Sequence, residues 1–186
     1  MKSMVWLLAL LPITLNAKVL LLESTNHYIV KENNKNILLQ SVREASPIRQ
    51  HGKVFFGQAN YDIRWRFWWK STGKQCRMTK VQTTLKLNYM LPKLITDDLS
   101  ITEAWMSWMP KLKVHEKRHG KLAISTAKEI DRQLSGMTPR KNCKILESDA
   151  NELGNKLMKQ LTKANRDYDK KTNHGETENA WLSQHL

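Results

Sequence analysis

The hydrophobic period changes halfway along this chain, and that change restricts the fold more than any other feature. Over residues 61–69, Tyr61, Ile63, Trp65, Phe67 and Trp69 alternate with Asp62, Arg64, Arg66 and Trp68. A period of two belongs to a strand with one apolar face. Residues 81–89 do the same: Val81, Thr83, Leu85, Leu87 and Tyr89 point one way, Gln82, Thr84, Lys86 and Asn88 the other. Ser71-Thr72-Gly73-Lys74 between them reads as a turn. Tyr28-Ile29-Val30 and Ile37-Leu38-Leu39 flank the polar run 31–36 and read as a further hairpin.

Beyond residue 110 the spacing turns helical. Leu112, His115, His119, Leu122, Thr126 and Ile130 follow at three or four residues and share one face of a helix running to about Leu134. Asp97 or Asp98 can cap a preceding helix towards Met109, and Pro110 starts a new turn or kinks a longer helix. Gly136, Thr138 and Pro139 then break the chain. Leu146, Ala150, Leu153, Leu157, Leu161, Ala164 and Tyr168 make a second helical stripe that ends near Asp169. The expectation is an α+β fold, a small antiparallel sheet packed on two long helices. The 186 residues make room for one domain, expected over 18–175, with 176–186 as a C-terminal tail.

The N-terminus has the pattern of a secretory signal peptide over residues 1–17. Lys2 precedes an apolar run over 5–15, and Ala17 closes a cleavage site, although Leu15 is bulky for it. An uncleaved anchor is the alternative, because Val19-Leu20-Leu21-Leu22 extends the apolar run. The net charge of +14 favours anionic surroundings, such as an acidic substrate or an anionic envelope surface. Export removes the chain from nucleic acid, so that partner is not expected. Two cysteines, Cys76 and Cys143, form an even count, which in an exported chain suggests a disulfide. Free buried thiols are the alternative.

Within the first long helix lies His115-Glu116-Lys117-Arg118-His119, an H-E-x-x-H motif. Positions i and i+4 sit one turn apart on one face, so two imidazoles can chelate one metal ion. Glu116 is offset around the helix and can reach a water on that ion without becoming a ligand. A charged, solvated helix face would give the same letters, and Lys117 and Arg118 suit it. Catalytic zinc takes three protein ligands and leaves a position for water. The extended metzincin motif needs glycine at 122 and histidine at 125; this chain has Leu122 and Ser125, which excludes it. Glu147, Glu152, Asp167 and Asp169 are acidic candidates for the third ligand. His174 is the strongest, since a helical hairpin could return it to the motif and Gly175 beside it permits a sharp turn.

The chain also resembles the predicted secreted zinc-dependent proteases of bacteria. The resemblance rests on Trp65-Arg66-Phe67-Trp68, Cys76, Leu91-Pro92, His115-Glu116-Lys117-Arg118-His119-Gly120, Cys143 and, most specifically, Tyr168-Asp169-Lys170-Lys171-Thr172-Asn173-His174-Gly175. It spans about residues 27–175 and implies a zincin-like fold, a Cys76–Cys143 disulfide and His174 in the site. Pro110 departs from it, since an uninterrupted helix is expected there.

The resulting expectation is a secreted or periplasmic zinc metallopeptidase. Zn²⁺ on His115, His119 and His174 would hold a water, Glu116 would act as general base, Tyr168 would donate to the carbonyl oxygen, and Asp169 would orient a ligand imidazole. The partners are then a peptide or protein substrate, or a cell-wall peptide. A non-catalytic envelope protein with a structural zinc site and a basic anion-binding surface is one alternative; a peptidoglycan amidase or endopeptidase is another. Oligomeric state is not legible.

Overall fold

The computed structural model describes residues 19–50 and 52–186; the expected signal peptide over 1–17 lies outside them. Among the described residues, five strands and three α-helices follow in the order β1 (Leu20–Lys31), α1 (Leu38–Ala45), β2 (Arg49–Gln50), β3 (Lys53–Val54), β4 (Gln58–Ser71), β5 (Cys76–Ile95), α2 (Leu99–Ser135) and α3 (Cys143–Thr172). The class is α+β, as the change of period implies.

β5 is the central strand, with order β1-β5-β4. β4 and β5 form the expected hairpin about the 71–76 turn, where Gly73 takes a positive φ and the Thr72 N–H donates to the Gln75 carbonyl. The alternating residues behave as their period demands: Ile63, Thr83, Leu85, Leu87 and Tyr89 are buried, while Arg64, Arg66, Gln82 and Lys86 are exposed. The sheet is mixed, not purely antiparallel, because β1 runs parallel to β5 in the register Leu20↔Thr84 to Lys31↔Ile95.

The hairpin expected over 28–39 does not form. Tyr28-Ile29-Val30 ends β1, but Ile37-Leu38-Leu39 enters α1. There Leu38 and Val42, four residues apart, are fully buried. The Asn34 carboxamide caps the preceding turn by accepting from the Asn36 N–H.

α2 is one continuous helix of 37 residues, capped by Asp98, whose carboxylate accepts from the Ile101 N–H. Pro110 lies inside it. α3 begins at Asn142, which accepts from the Ile145 N–H, and runs to a left-handed cap at Asn173. Both helices cover one face of the sheet, and the core lies between, around Leu85, Leu87, Trp108, Ile130, Ala150 and Leu161. Asp131 on α2 is buried and accepts from the Thr83 backbone N–H, just past the last residue that β1 reaches. Cys76 and Cys143 form a disulfide that ties the start of β5 to the start of α3. Residues 176–186, expected as a tail, pack back on the domain. Ala180 and Leu182 are buried, and the Trp108 indole donates to the Ala180 carbonyl at 2.8 Å.

Candidate metal centre

The two histidines sit on the inward face of α2 because they continue the spacing of Leu112, and both are largely buried. Their rings lie 5.0 Å apart, nearly perpendicular. α3 runs alongside and presents Asn165 and Asp169, one turn apart, to the same place. Asp169 Oδ1 lies 3.0 Å from His119 Nε2 and 3.5 Å from His115 Nε2. These three side chains could hold a metal ion: one ligand atom from each falls within 4.8 Å of the others.

The remaining ring nitrogens are committed elsewhere. The Asn165 Nδ2 group donates to the Leu161 carbonyl and the Tyr61 hydroxyl, both at 3.1 Å. A carbonyl can only accept, so the Asn165 amide is oriented with Oδ1 towards His119 Nδ1, 2.7 Å away, which must carry its proton. His115 Nδ1 lies 2.9 Å from Glu178 Oε2, a carboxylate acceptor. Each neutral imidazole is thereby left with its lone pair on Nε2, aimed at the oxygen of Asp169. Lone pairs facing a carboxylate repel, so the arrangement requires either shared protons or a cation between them. Acceptors behind both histidines are the usual support of a metal-ligating imidazole.

Burial opposes the charged forms of His115 and His119, but hydrogen bonds to Asp169, and to Glu178 for His115 and Asn165 for His119, outweigh it and raise both pKa values. Burial likewise opposes the charged form of Asp169, yet the two imidazoles hold it well below the usual carboxylate range. Glu178 is also lowered against its desolvation, by His115 and Tyr168.

Glu116 follows His115 on the helix and is only 6 % exposed. Burial pushes its pKa up, and the neighbouring histidines only partly oppose this. The chain entering β4 crosses directly over it. A Cβ at Gly57 would lie 2.8 Å from Glu116 Cγ and Oε1, so only glycine lets that strand approach so closely. Glu116, His115, His119 and Asp169 all line one cavity of about 900 Å³, walled by the β2–β3 hairpin, the start of β4 and the C-terminal segment.

His174 is not part of the three-residue cluster. Its exposed side chain lines the same cavity, and its ring packs against Phe55 at 5.4 Å. The reason is that α3 continues past Asp169 to Thr172, which carries His174 beyond the helix end at a φ of 52°. Asp169, expected behind a ligand, faces both Nε2 atoms directly. Glu147, Glu152 and Asp167 are exposed and outside the cluster; Asp167 pairs with Lys163. Gly175 does turn sharply, with φ 91°, and a Cβ there would meet Ala180 Cβ at 2.8 Å and His115 Nδ1 at 3.2 Å.

Tyr168 is placed against His115 and not on the cavity wall. Its ring stacks on His115, and its hydroxyl donates to Glu178 Oε2 at 2.7 Å, on the Nδ1 side of that histidine. It braces the imidazole and Glu178 and does not line the cavity. Burial, then Glu178, raises its pKa.

Two residues of this site escaped the sequence reading. Asn165 could have been found: Leu157, Leu161, Asn165 and Asp169 form one ridge at strict intervals of four, apolar and then polar. Glu178 could not, because it follows the last helix with no periodicity to mark it.

Residues 25–175 match the bacterial family described as "Bacterial protein of unknown function (DUF922)", and the chain belongs to that family. No curated protein and no solved structure matches it.

Proposed function

We propose that this family member is an exported zinc metallopeptidase that hydrolyses peptide or amide bonds. The observation that carries the proposal is the convergence of His115 Nε2, His119 Nε2 and Asp169 Oδ1 while both Nδ1 atoms are held from behind. Two neutral imidazoles and one carboxylate form a donor set that suits zinc. When bound there, the ion would polarise the scissile carbonyl and acidify a water.

The rest is the work of the chain. Glu116, buried beside the cluster with its pKa raised, accepts the proton of the attacking water and returns it to the leaving amine. The same two-histidine, one-carboxylate set also suits non-haem iron. What favours hydrolysis is Glu116, since a buried carboxyl next to the ligands has a task in proton transfer and none in holding the ion. A purely structural site would not need it either. The cavity admits an extended substrate past the start of β4, consistent with a peptide or a cell-wall peptide. The Cys76–Cys143 disulfide supports an oxidising compartment.

The test combines elemental analysis of the purified protein with the Glu116→Gln variant. About one zinc per chain is expected in both proteins, with hydrolysis of casein or of purified sacculi reduced about a thousandfold in the variant. Bound iron, or metal-dependent hydrolysis that survives Glu116→Gln, would falsify the reading. Casein and sacculi separate a general peptidase from a cell-wall enzyme.

A further inference from the structure

Over residues 62–70 of β4, 77–86 of β5 and 20–22 of β1 the helices leave one face of the sheet open, and the composition of that open part is not ordinary. Residues paired across strands share a face, so the registers define it. Arg64, Arg66 and Lys70 of β4 lie on it with Arg77, Lys80 and Lys86 of β5, all exposed. The acidic residue among them is Asp62, already paired with Arg64 at 2.8 Å. Among these cations stands Trp68, 44 % exposed, with Lys80 Nζ 4.8 Å from its ring centre. At the β1 edge the same face carries Leu20 and Leu22, 47 % and 48 % exposed, in register with Thr84 and Lys86.

Alternation alone asks only for polar residues on a solvated face. It does not ask for six cations against one carboxylate, nor for an indole among them and two leucines at their edge. We propose that this open face docks peripherally on an anionic lipid bilayer. The guanidinium and ammonium groups meet the lipid phosphates, and Trp68 settles at the headgroup level, with its apolar ring inward and its N–H wet. Leu20 and Leu22 add apolar contact at the edge. The face lies across the sheet from His115 and His119, so docking leaves the cavity free for substrate. This inference does not depend on the metal or on hydrolysis.

The experiment is co-sedimentation of the full chain with vesicles of phosphatidylglycerol and phosphatidylcholine, against phosphatidylcholine alone, at rising salt. One variant carries Arg64→Gln, Arg66→Gln, Lys80→Gln and Lys86→Gln. A control variant removes the same charge elsewhere, by Lys128→Gln, Lys144→Gln, Lys156→Gln and Lys159→Gln on α2 and α3. A third is Trp68→Ala. Thermal unfolding of each verifies that it is folded. Binding of the wild type is expected to need the anionic lipid and to weaken with salt. The face variant should lose about a hundredfold in partitioning, the control variant less than about fivefold, and Trp68→Ala several-fold at every salt concentration.

Equal losses in the face and control variants would overturn the proposal, because net charge alone would then explain binding. Equal wild-type binding to neutral vesicles would overturn it too. So would tighter binding to a soluble anionic polymer such as polyphosphate, insensitive to Trp68→Ala, which would assign the face to a polymer instead.

Discussion

At the scale of single residues, the site is decided by which side chain stands third beside His115 and His119. Asp169 touches both rings, whereas His174 sits past the end of α3 against Phe55. Asp169→Ala should therefore lower zinc affinity at least a hundredfold, and His174→Ala should leave it within about threefold. Asn165→Ala and Glu178→Ala, which free an Nδ1 atom, should each weaken it about ten- to a hundredfold. Isothermal titration of the four variants ranks them, and a His174→Ala loss as large as that of Asp169→Ala would reverse the assignment. Protonation gives a second reading. Without metal, the raised His115 and His119 contribute stability that is fully present below about pH 6.5, their unfolded value. That contribution is lost as pH rises through their native values. Asp169 is lowered, so its contribution is present above about pH 3.9 and is lost as pH falls below that. Zinc needs the Nε2 lone pairs, so protons compete with it. Thermal scans from pH 5.5 to 8.5 should show the metal-free protein losing stability towards the alkaline end while the zinc-induced rise in Tm grows. A zinc effect that shrinks with rising pH would contradict ligation by imidazole.

At the scale of elements, local spacing made some things legible and left others hidden. The alternation at 61–69 and 81–89 survives in β4 and β5, and the three-four spacing from Leu112 survives in α2, because each is reinforced by burial on one side. The triplet Ile37-Leu38-Leu39 misled because three apolar residues carry no period; only Val42, four beyond Leu38, marks the helix. The parallel pairing of β1 with β5 had no local signal either, since Leu20 and Thr84 are far apart in sequence. In the site, the motif on α2 was readable, but the choice of Asp169 depended on how far α3 runs. Pro110 is expected to start a new turn or to kink a longer helix; no new helix starts there, and α2 runs through it. A proline there removes the hydrogen bond to the Met106 carbonyl, and Met106 is 69 % exposed, on the side where water can take up that carbonyl. Interior proline costs roughly 3 kcal/mol in a helix, and hydration recovers part of it. Pro110→Ala should thus stabilise the protein by about 1–2 kcal/mol, raising Tm by several degrees, with zinc affinity within twofold. A drop in Tm in differential scanning calorimetry would mean that the sheet packing needs the proline's geometry.

At the scale of the whole molecule, the α2–α3 hairpin is held at both ends by different chemistry. At one end His115, His119 and Asp169 meet across the two helices. At the other, Cys143 joins the start of α3 to β5, about 40 Å along the helix from Asp169 at 1.5 Å per residue. The disulfide closes a loop with a sequence separation of 67 residues, and in the chain-entropy model such a closure stabilises by roughly 4 kcal/mol. Metal stabilises differently, through mass action on the folded state alone. Sites this far apart with no shared partners should contribute additively. Replacing both cysteines by serine should therefore lower the unfolding free energy by about 4 kcal/mol, with or without zinc, while the increment due to zinc stays within about 0.5 kcal/mol of its wild-type value. Urea titrations of the four states, each protein with and without metal, measure both numbers. A zinc increment that collapses in the serine variant would show that the register of the hairpin at the histidines is set from the disulfide end, and the two restraints would then have to be treated as one.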